Sequence, residues 1–369
     1  MFNHARIRLA LALLTAGSML ALMWTPTLAD GPARLPSAKV VASGLDNPRG
    51  IAVGSRNQIF VALSGSGAPA SGKIIEIAHG KVWTFRGNLP SIKSPEGEVS
   101  GPTNVAVKGD DIKAVIGGGP QQVDARFDSV LDLEHGVRRL ADIQAYVNAH
   151  PDPTDLDNPA NPTDSNLYGI ALIGDERTVV TDAANNTLLL VGATGRVWTM
   201  AKFPNEVVST SHILGFPGPP AVPAEAVPTS VAVGPDGYYY VGELKGFPFT
   251  PGTSRIWRVA PWARNVTCDA AHRKAGCSLF MDGFTSIVGL AFGTGGTLYV
   301  SEIVKNGVLG LFQGTDTVGA LYKVWHGHKT ELVPGRLTLP GGVAVGGNGT
   351  VYITNNSISV GHGEVLAIR

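Results

Sequence analysis

One 18-residue pattern recurs six times along this chain, and it restricts the possible folds more than any other feature. The copies begin at Gly50, Asn104, Gly169, Ser230, Gly289 and Gly342 and align without a gap. Alanine holds the third position of every copy: Ala52, Ala106, Ala171, Ala232, Ala291 and Ala344. Each copy reads as a short apolar strand, a turn of Gly, Asp or Asn, and a second strand of β-branched and aromatic residues. That is the pattern of a β-hairpin. Segments such as 71–89, 186–203 and 319–335 supply a third and fourth strand to each unit.

The copies start 53 to 65 residues apart. Four strands per unit at that spacing predict an all-β, six-bladed β-propeller rather than a solenoid. The alanine fits this geometry, because innermost strands crowd a narrow axis. The sixth unit runs out of chain after its third strand, 363–369, while 38–45 resembles the outer strands of the other units. The N-terminal strand is therefore expected to close the last blade, which leaves no unpaired blade edge. Residues 30–369 then form one propeller domain, with blades starting near 45, 101, 165, 227, 285 and 339.

Composition limits the partners. The chain is 44% apolar, enough for a sizeable core, and its 47 glycines and 25 prolines suit a turn-rich β protein. Lys+Arg and Asp+Glu both number 29, so no global field draws nucleic acid, and no basic stripe with interleaved aromatics occurs. Residues 1–29 read as a signal peptide: Arg6 and Arg8 precede an apolar run to Trp24, and a small-residue cleavage site lies near Ala29-Asp30. A retained N-terminal anchor is the other reading. The mature protein is expected to be secreted or periplasmic, monomeric, and without a transmembrane span. In such a compartment Cys268 and Cys277 are expected to form a local disulfide.

Propeller geometry places the loops before the first strand and after the second of each blade on one face, termed the top. The long irregular segments 117–126, 144–166, 204–228, 244–254 and 304–318 fall there. Long loops on a rigid scaffold are common places for binding sites. Leading positions just before each copy are Arg49, Thr103, Tyr168, Thr229, Val288 and Gly341, with Asn47, Asn104 and Asn166 nearby. Trailing positions, at the fourteenth place, are Leu63, Gly117, Asp182, Glu243, Glu302 and Asn355. Three carboxylates and an amide on four successive blades could hold calcium or another divalent cation, polarise a substrate, or bind hydroxyls. The same residues also read as turn caps, with Glu243 paired to Lys245 in solvent. Arg49, at the channel mouth, is the leading candidate to grip a ligand, and its loss should leave stability nearly unchanged.

Other motifs carry less. His326-Gly327-His328 resembles a metal pair, but His79-Gly80 and His135-Gly136 fall at equivalent turns, so histidine there is turn vocabulary. The acidic 152–158 segment lacks the glycine and terminal glutamate of an EF-hand and reads as a solvated loop or a loose calcium site. No nucleophile elbow, zincin helix, Cys-x-x-Cys pair or phosphate-binding loop occurs.

With these residues in view, the chain resembles the ScyD/ScyE family, exported six-bladed propellers akin to NHL-repeat proteins. The resemblance is carried by GLDNPRGIAV (44–53), DSNLYGIAL (164–172), VPTSVAVGPDGYYYVGELKGFPFTPGTSRIWRV (227–259), FTSIVGLAFG (284–293) and LPGGVAVGGNGTVYITNNSISVGHGEVLAI (339–368). Leu63 stands where members often carry an acidic residue, and blade two departs from the pattern with Lys108 and Lys113. The resemblance implies the fold and export but no defined activity. Two functions are consistent with it. One is a non-catalytic module whose top face, with Tyr168, Phe216, Phe247 and Phe249, holds a small molecule, glycan or protein partner. The other is a metal-assisted hydrolase, lactonase or lyase, as in similar six-bladed propellers.

Overall fold

The computed structural model describes residues 36–160 and 162–369. The signal segment falls outside them. Every 18-residue copy forms an antiparallel hairpin; in the first, Ile59–Leu63 folds back on Pro48–Val53 with Ala52 opposite Phe60. The turn residues earn their places through backbone conformation, as at Asn57, Gly237 and Gly349, with φ of 60°, 76° and 79°. The His79-Gly80 and His326-Gly327 turns hold both residues at positive φ, between 49° and 78°, as a two-residue hairpin turn requires. Those histidines are thus turn residues.

Six four-stranded antiparallel sheets result, with inner strands Pro48–Val53, Pro102–Lys108, Leu167–Gly174, Pro228–Val233, Ile287–Phe292 and Val343–Val345. They enclose a channel of about 270 Å³ whose wall includes Ala52, Ala106, Ala171, Ala291 and Ala344. Ala38–Leu45 pairs antiparallel with Gly363–Ile368 and supplies the outer strand of the sixth blade. The ring is therefore a six-bladed β-propeller closed by its own termini.

The core lies between blades. The twelfth position of the pattern is occupied by Val61, Val115, Val180, Val241, Val300 and Ile353, all with no exposed surface. Near the axis, five of the six blade junctions are also tied by a buried hydroxyl. Ser64 Oγ donates to the Pro102 carbonyl (3.0 Å), Thr103 Oγ1 to Leu167 (2.7 Å), and Thr229 Oγ1 to Ile287 (2.5 Å). Ser301 Oγ donates to Gly341 (2.6 Å) and Thr354 Oγ1 to Arg49 (2.7 Å). Between blades three and four, Asn186 Oδ1 accepts from the Val227 amide instead (2.9 Å). Close approach at this radius also explains a glycine: a Cβ on Gly50 would sit 2.0 Å from Asn104 Oδ1.

Two additions depart from the plain ring. Within the segment expected to be an irregular loop from 144, Ile143–Ala149 is a helix, capped by Asp142, whose side chain accepts from the Ala145 amide. Its buried Ile143 and Val147, spaced i and i+4, pack against Leu189 and Val191 on the flank of blade three. The Cys268–Cys277 disulfide forms, with Cα atoms 5.3 Å apart. Its loop climbs blade three, where Val266–Thr267 pairs in parallel with Ala201–Lys202 as a fifth strand. No helix among the described residues is long and apolar enough to cross a membrane.

Candidate functional site on the top face and its rim

The leading positions sit at the top of the channel, but most of their polar atoms are engaged. Arg49 is 7% exposed; its Nη2 donates to the Val99 carbonyl (3.2 Å) and its Nη1 reaches the Tyr168 hydroxyl at 3.5 Å. Arg49 therefore links blade one to blade three instead of projecting freely, while its Nε has no partner among the described residues. The Thr103 and Thr229 hydroxyls are used in the junctions described above. Asn104 lines the channel and accepts from the Val105 amide, and Asn166 Oδ1 accepts from the Gly118 amide (3.0 Å). Asn47, at φ 48°, donates to the Gly65 carbonyl (2.8 Å).

Three of the trailing positions, Asp182, Glu302 and Asn355, act as braces for the loops that enter their blades. Asp182, fully buried, accepts from Ser165 Oγ (2.7 Å) and from the Asn166 and Asn185 amides. Glu302 accepts from the Thr285 amide (2.7 Å), and Asn355 Oδ1 from the Thr338 amide (2.8 Å). Burial raises the Asp182 carboxyl above its ordinary value and pushes Glu302 up to about 7. Asp128 is pushed up to about 8, by burial first and then by the Asp182 charge. Among the described residues, no three His, Cys, Asp or Glu side chains converge on a metal-sized site.

Glu243 and Lys245 do pair, at 2.9 Å, but not in solvent: both are at most 1% exposed. The hairpin formed by Glu206–Ser209 and Ala221–Ala224 explains the difference, because its Glu206 also contacts Lys245 (3.2 Å) and Arg255. Trp257 Nε1 donates to the other Glu243 oxygen. The aromatics of this sector form a chain of ring contacts, Phe216–Phe247–Phe249–Phe312, with centroids 5.4 to 6.0 Å apart.

A further cavity lies away from the axis. A cleft of about 770 Å³ opens at the rim of blade three, between the 150–154 and 203–205 stretches of two long top loops, the 185–187 turn and the disulfide-bearing loop. The acidic 152–158 segment is largely exposed, at Pro153, Thr154, Leu156 and Asp157, but two of its carboxylates turn inward. Asp155 is 7% exposed, and Asp152 Oδ2 and Glu225 Oε1 both accept from Asn186 Nδ2 at 3.2 Å. Burial pushes Glu225 up to about 7, and the nearby Asp157 charge adds to it. Tyr146 holds the outer wall: its hydroxyl lies 2.9 Å from Thr199 Oγ1 and accepts from the Thr199 amide. Sequence reasoning did not single out Tyr146, His150, Trp198, Asn185 or Asn205 as cleft residues. The available signal was the Asp142-capped, i and i+4 apolar spacing that forms the helix.

No family model matches the sequence, and no curated protein does. Among solved structures, a Bacteroides thetaiotaomicron protein of unknown function is 10% identical, with a TM-score of 0.53 over 90% of this chain and 76% of its own. The PQQ-bound aldose sugar dehydrogenase of Streptomyces coelicolor is 15% identical, at 0.50 over 92% and 99%. The soluble aldose sugar dehydrogenase of Escherichia coli is 13% identical, at 0.50 over 90% and 99%. Likeness at this level of identity establishes the six-bladed propeller fold and carries no activity with it.

Proposed function

We propose that this chain is an exported binding module that holds a small molecule, glycan or protein partner on the loop-rich top face of its propeller. The observation that carries this reading is the cleft of about 770 Å³ at the rim of blade three, built in part by two of the long top loops. Export rests on the N-terminal segment and agrees with the formed disulfide. The ScyD/ScyE resemblance of the repeats agrees with both and assigns no reaction. Native mass spectrometry of the exported protein, before and after chelation, tests the proposal. An organic or peptide mass that is lost when Trp198 is replaced by Ala supports it. A stoichiometric metal removed by the chelator would instead favour the metal-assisted hydrolase or lyase reading.

A further inference from the structure

The cleft at blade three combines three features that together specify a ligand more narrowly than its size does. The first is an aromatic platform. His150 stacks on Tyr146 with ring centroids 4.1 Å apart and planes 16° from parallel, and the Tyr146 ring is fixed through its hydroxyl to Thr199. His150 is exposed, so the platform presents a flat, rigid face. Such a face suits the C–H side of a ring-shaped ligand.

The second feature is an unpaired amide donor and an unpaired amide acceptor. Asn185 is 5% exposed, and its Nδ2 has no partner among the described residues. Asn205 donates to the Thr154 carbonyl (2.6 Å), and its buried Oδ1 has no partner among the described residues. Buried polar groups are ordinarily bonded, and one left unpaired costs free energy until something pairs it. One donor and one acceptor on the same cleft match a ligand hydroxyl pair, since a hydroxyl both donates and accepts. The neighbouring Asn186 is not available, because its amide is already spent on Asp152, Glu225 and Val227.

The third feature is charge. The acidic and basic side chains that line the cleft beside the platform are Asp152, Lys202 and Arg264. Both Asp152 oxygens are engaged, by Thr154 and by Asn186. Lys202 has no carboxylate partner among the described residues, and Arg264 bonds only to the carbonyls of Pro261 and Ala263. Two unpaired cations at the rim therefore await an anionic group.

We infer that this cleft is a subsite for an acidic sugar, a hexuronate unit of a glycan. Its ring lies on the His150–Tyr146 platform, its hydroxyls meet Asn185 and Asn205, and its carboxylate meets Lys202 and Arg264. The inference rests on the binding-module reading and narrows it to one ligand class.

The test uses the full exported protein and titration calorimetry. The probes are oligomers of glucuronic, galacturonic and mannuronic acid, beside the neutral glucose, galactose and mannose oligomers. At least one acidic oligomer should bind roughly tenfold more tightly than its neutral counterpart, and added salt should reduce that gap. The double variant Lys202→Gln/Arg264→Gln changes exposed side chains and should fold normally; it should erase the preference for acid. Asn185→Ala should weaken acidic and neutral oligomers alike. Because Asn185 is buried, Asn205→Ala provides the same readout if that variant fails to fold. Equal affinity for acidic and neutral oligomers overturns the inference, as does an acidic preference that survives the double variant. If no oligomer binds while native mass spectrometry still shows a different bound mass, the acidic-sugar inference fails and the binding module stands.

Discussion

Thr354 Oγ1 donates to the carbonyl of Arg49 at 2.7 Å across 305 residues of sequence, joining the last blade to the first near the axis. The same carbonyl accepts from the Gly342 amide at 2.9 Å. The contact is one of five buried hydroxyl junctions, so it samples a device used at all but one of the blade boundaries. Thr354→Val keeps the shape and removes the donor. It should cost about 0.5–1.5 kcal/mol, measured by denaturant unfolding, because one buried hydrogen bond is lost while the Arg49 carbonyl keeps the Gly342 amide. A variant as stable as wild type would show that these hydroxyls do not hold the blades together.

The outer closure is a separate matter. Removing 38–45 strips the sixth blade of its outer strand, and with it the buried Ala42 and Leu45. It exposes the edge of Gly363–Ile368 and breaks the cluster of Val61, Ile75 and Val365 between blades six and one. The truncated protein should fail to show a cooperative thermal transition by circular dichroism. A sharp transition near the wild-type temperature would sink the closure argument.

Arg49 is less of a free ligand-gripping residue than its place in the sequence suggests. It is buried, bonded to the Val99 carbonyl and directed at the Tyr168 hydroxyl, so it supports the top of the ring. Arg49→Ala should therefore lower stability by about 1–3 kcal/mol, contrary to the expectation of an unchanged melting temperature. Thermal melts of Arg49→Ala beside Tyr168→Phe separate the two contacts. A larger effect of Arg49→Ala would assign most of the support to Val99.

The reason sequence and structure agree so well on architecture lies in what a repeat encodes. A small residue at Ala52 or Ala344 and a β-branched residue at Val61 or Ile353 report a local environment that each blade must recreate. Repeated six times, the signal survives the degeneracy of blade two. The site residues carry no such redundancy. Asp182, Glu302 and Asn355 each tie down the loop that enters their blade, so an acid or amide at that place marks bracing as readily as binding. The cleft is assembled once, from a helix after blade two, turns of blade three and a loop of blade four. No periodicity announces a contact such as Tyr146 to Thr199, 53 residues apart.

Five raised carboxyls set the pH dependence, Asp182 and Glu243 among them. Asp128 stands at about 8, and Glu225 and Glu302 at about 7, all chiefly through burial. In the unfolded chain these groups ionise near 4. Between about pH 4 and pH 8 the unfolded state gives up protons that the folded state retains, so stability falls as pH rises across that window. Asp128→Asn should flatten the upper part of the fall, and Glu302→Gln the part just below it. Denaturant midpoints at pH 5, 6, 7 and 8 would show this, and a stability that climbs steadily to pH 8 would contradict it.

The Glu243–Lys245 pair offers the clearest energetic test, because neither partner has solvent to fall back on. Lys245→Met leaves the Glu243 carboxyl buried, with Trp257 Nε1 as its remaining side-chain donor. Burial already pushes that carboxyl up, and loss of the ammonium removes a counteracting charge. The single change should cost about 3–5 kcal/mol. Adding Glu243→Gln removes the stranded charge while keeping an acceptor for Trp257, so the double variant should recover most of the loss. Glu206 retains Arg255 in either background, which limits its own contribution to the cycle. The comparison is made by urea unfolding of the four proteins in the cycle. If the losses of the two single variants simply add in the double, the buried pair is not coupled and Lys245 serves Glu206 alone.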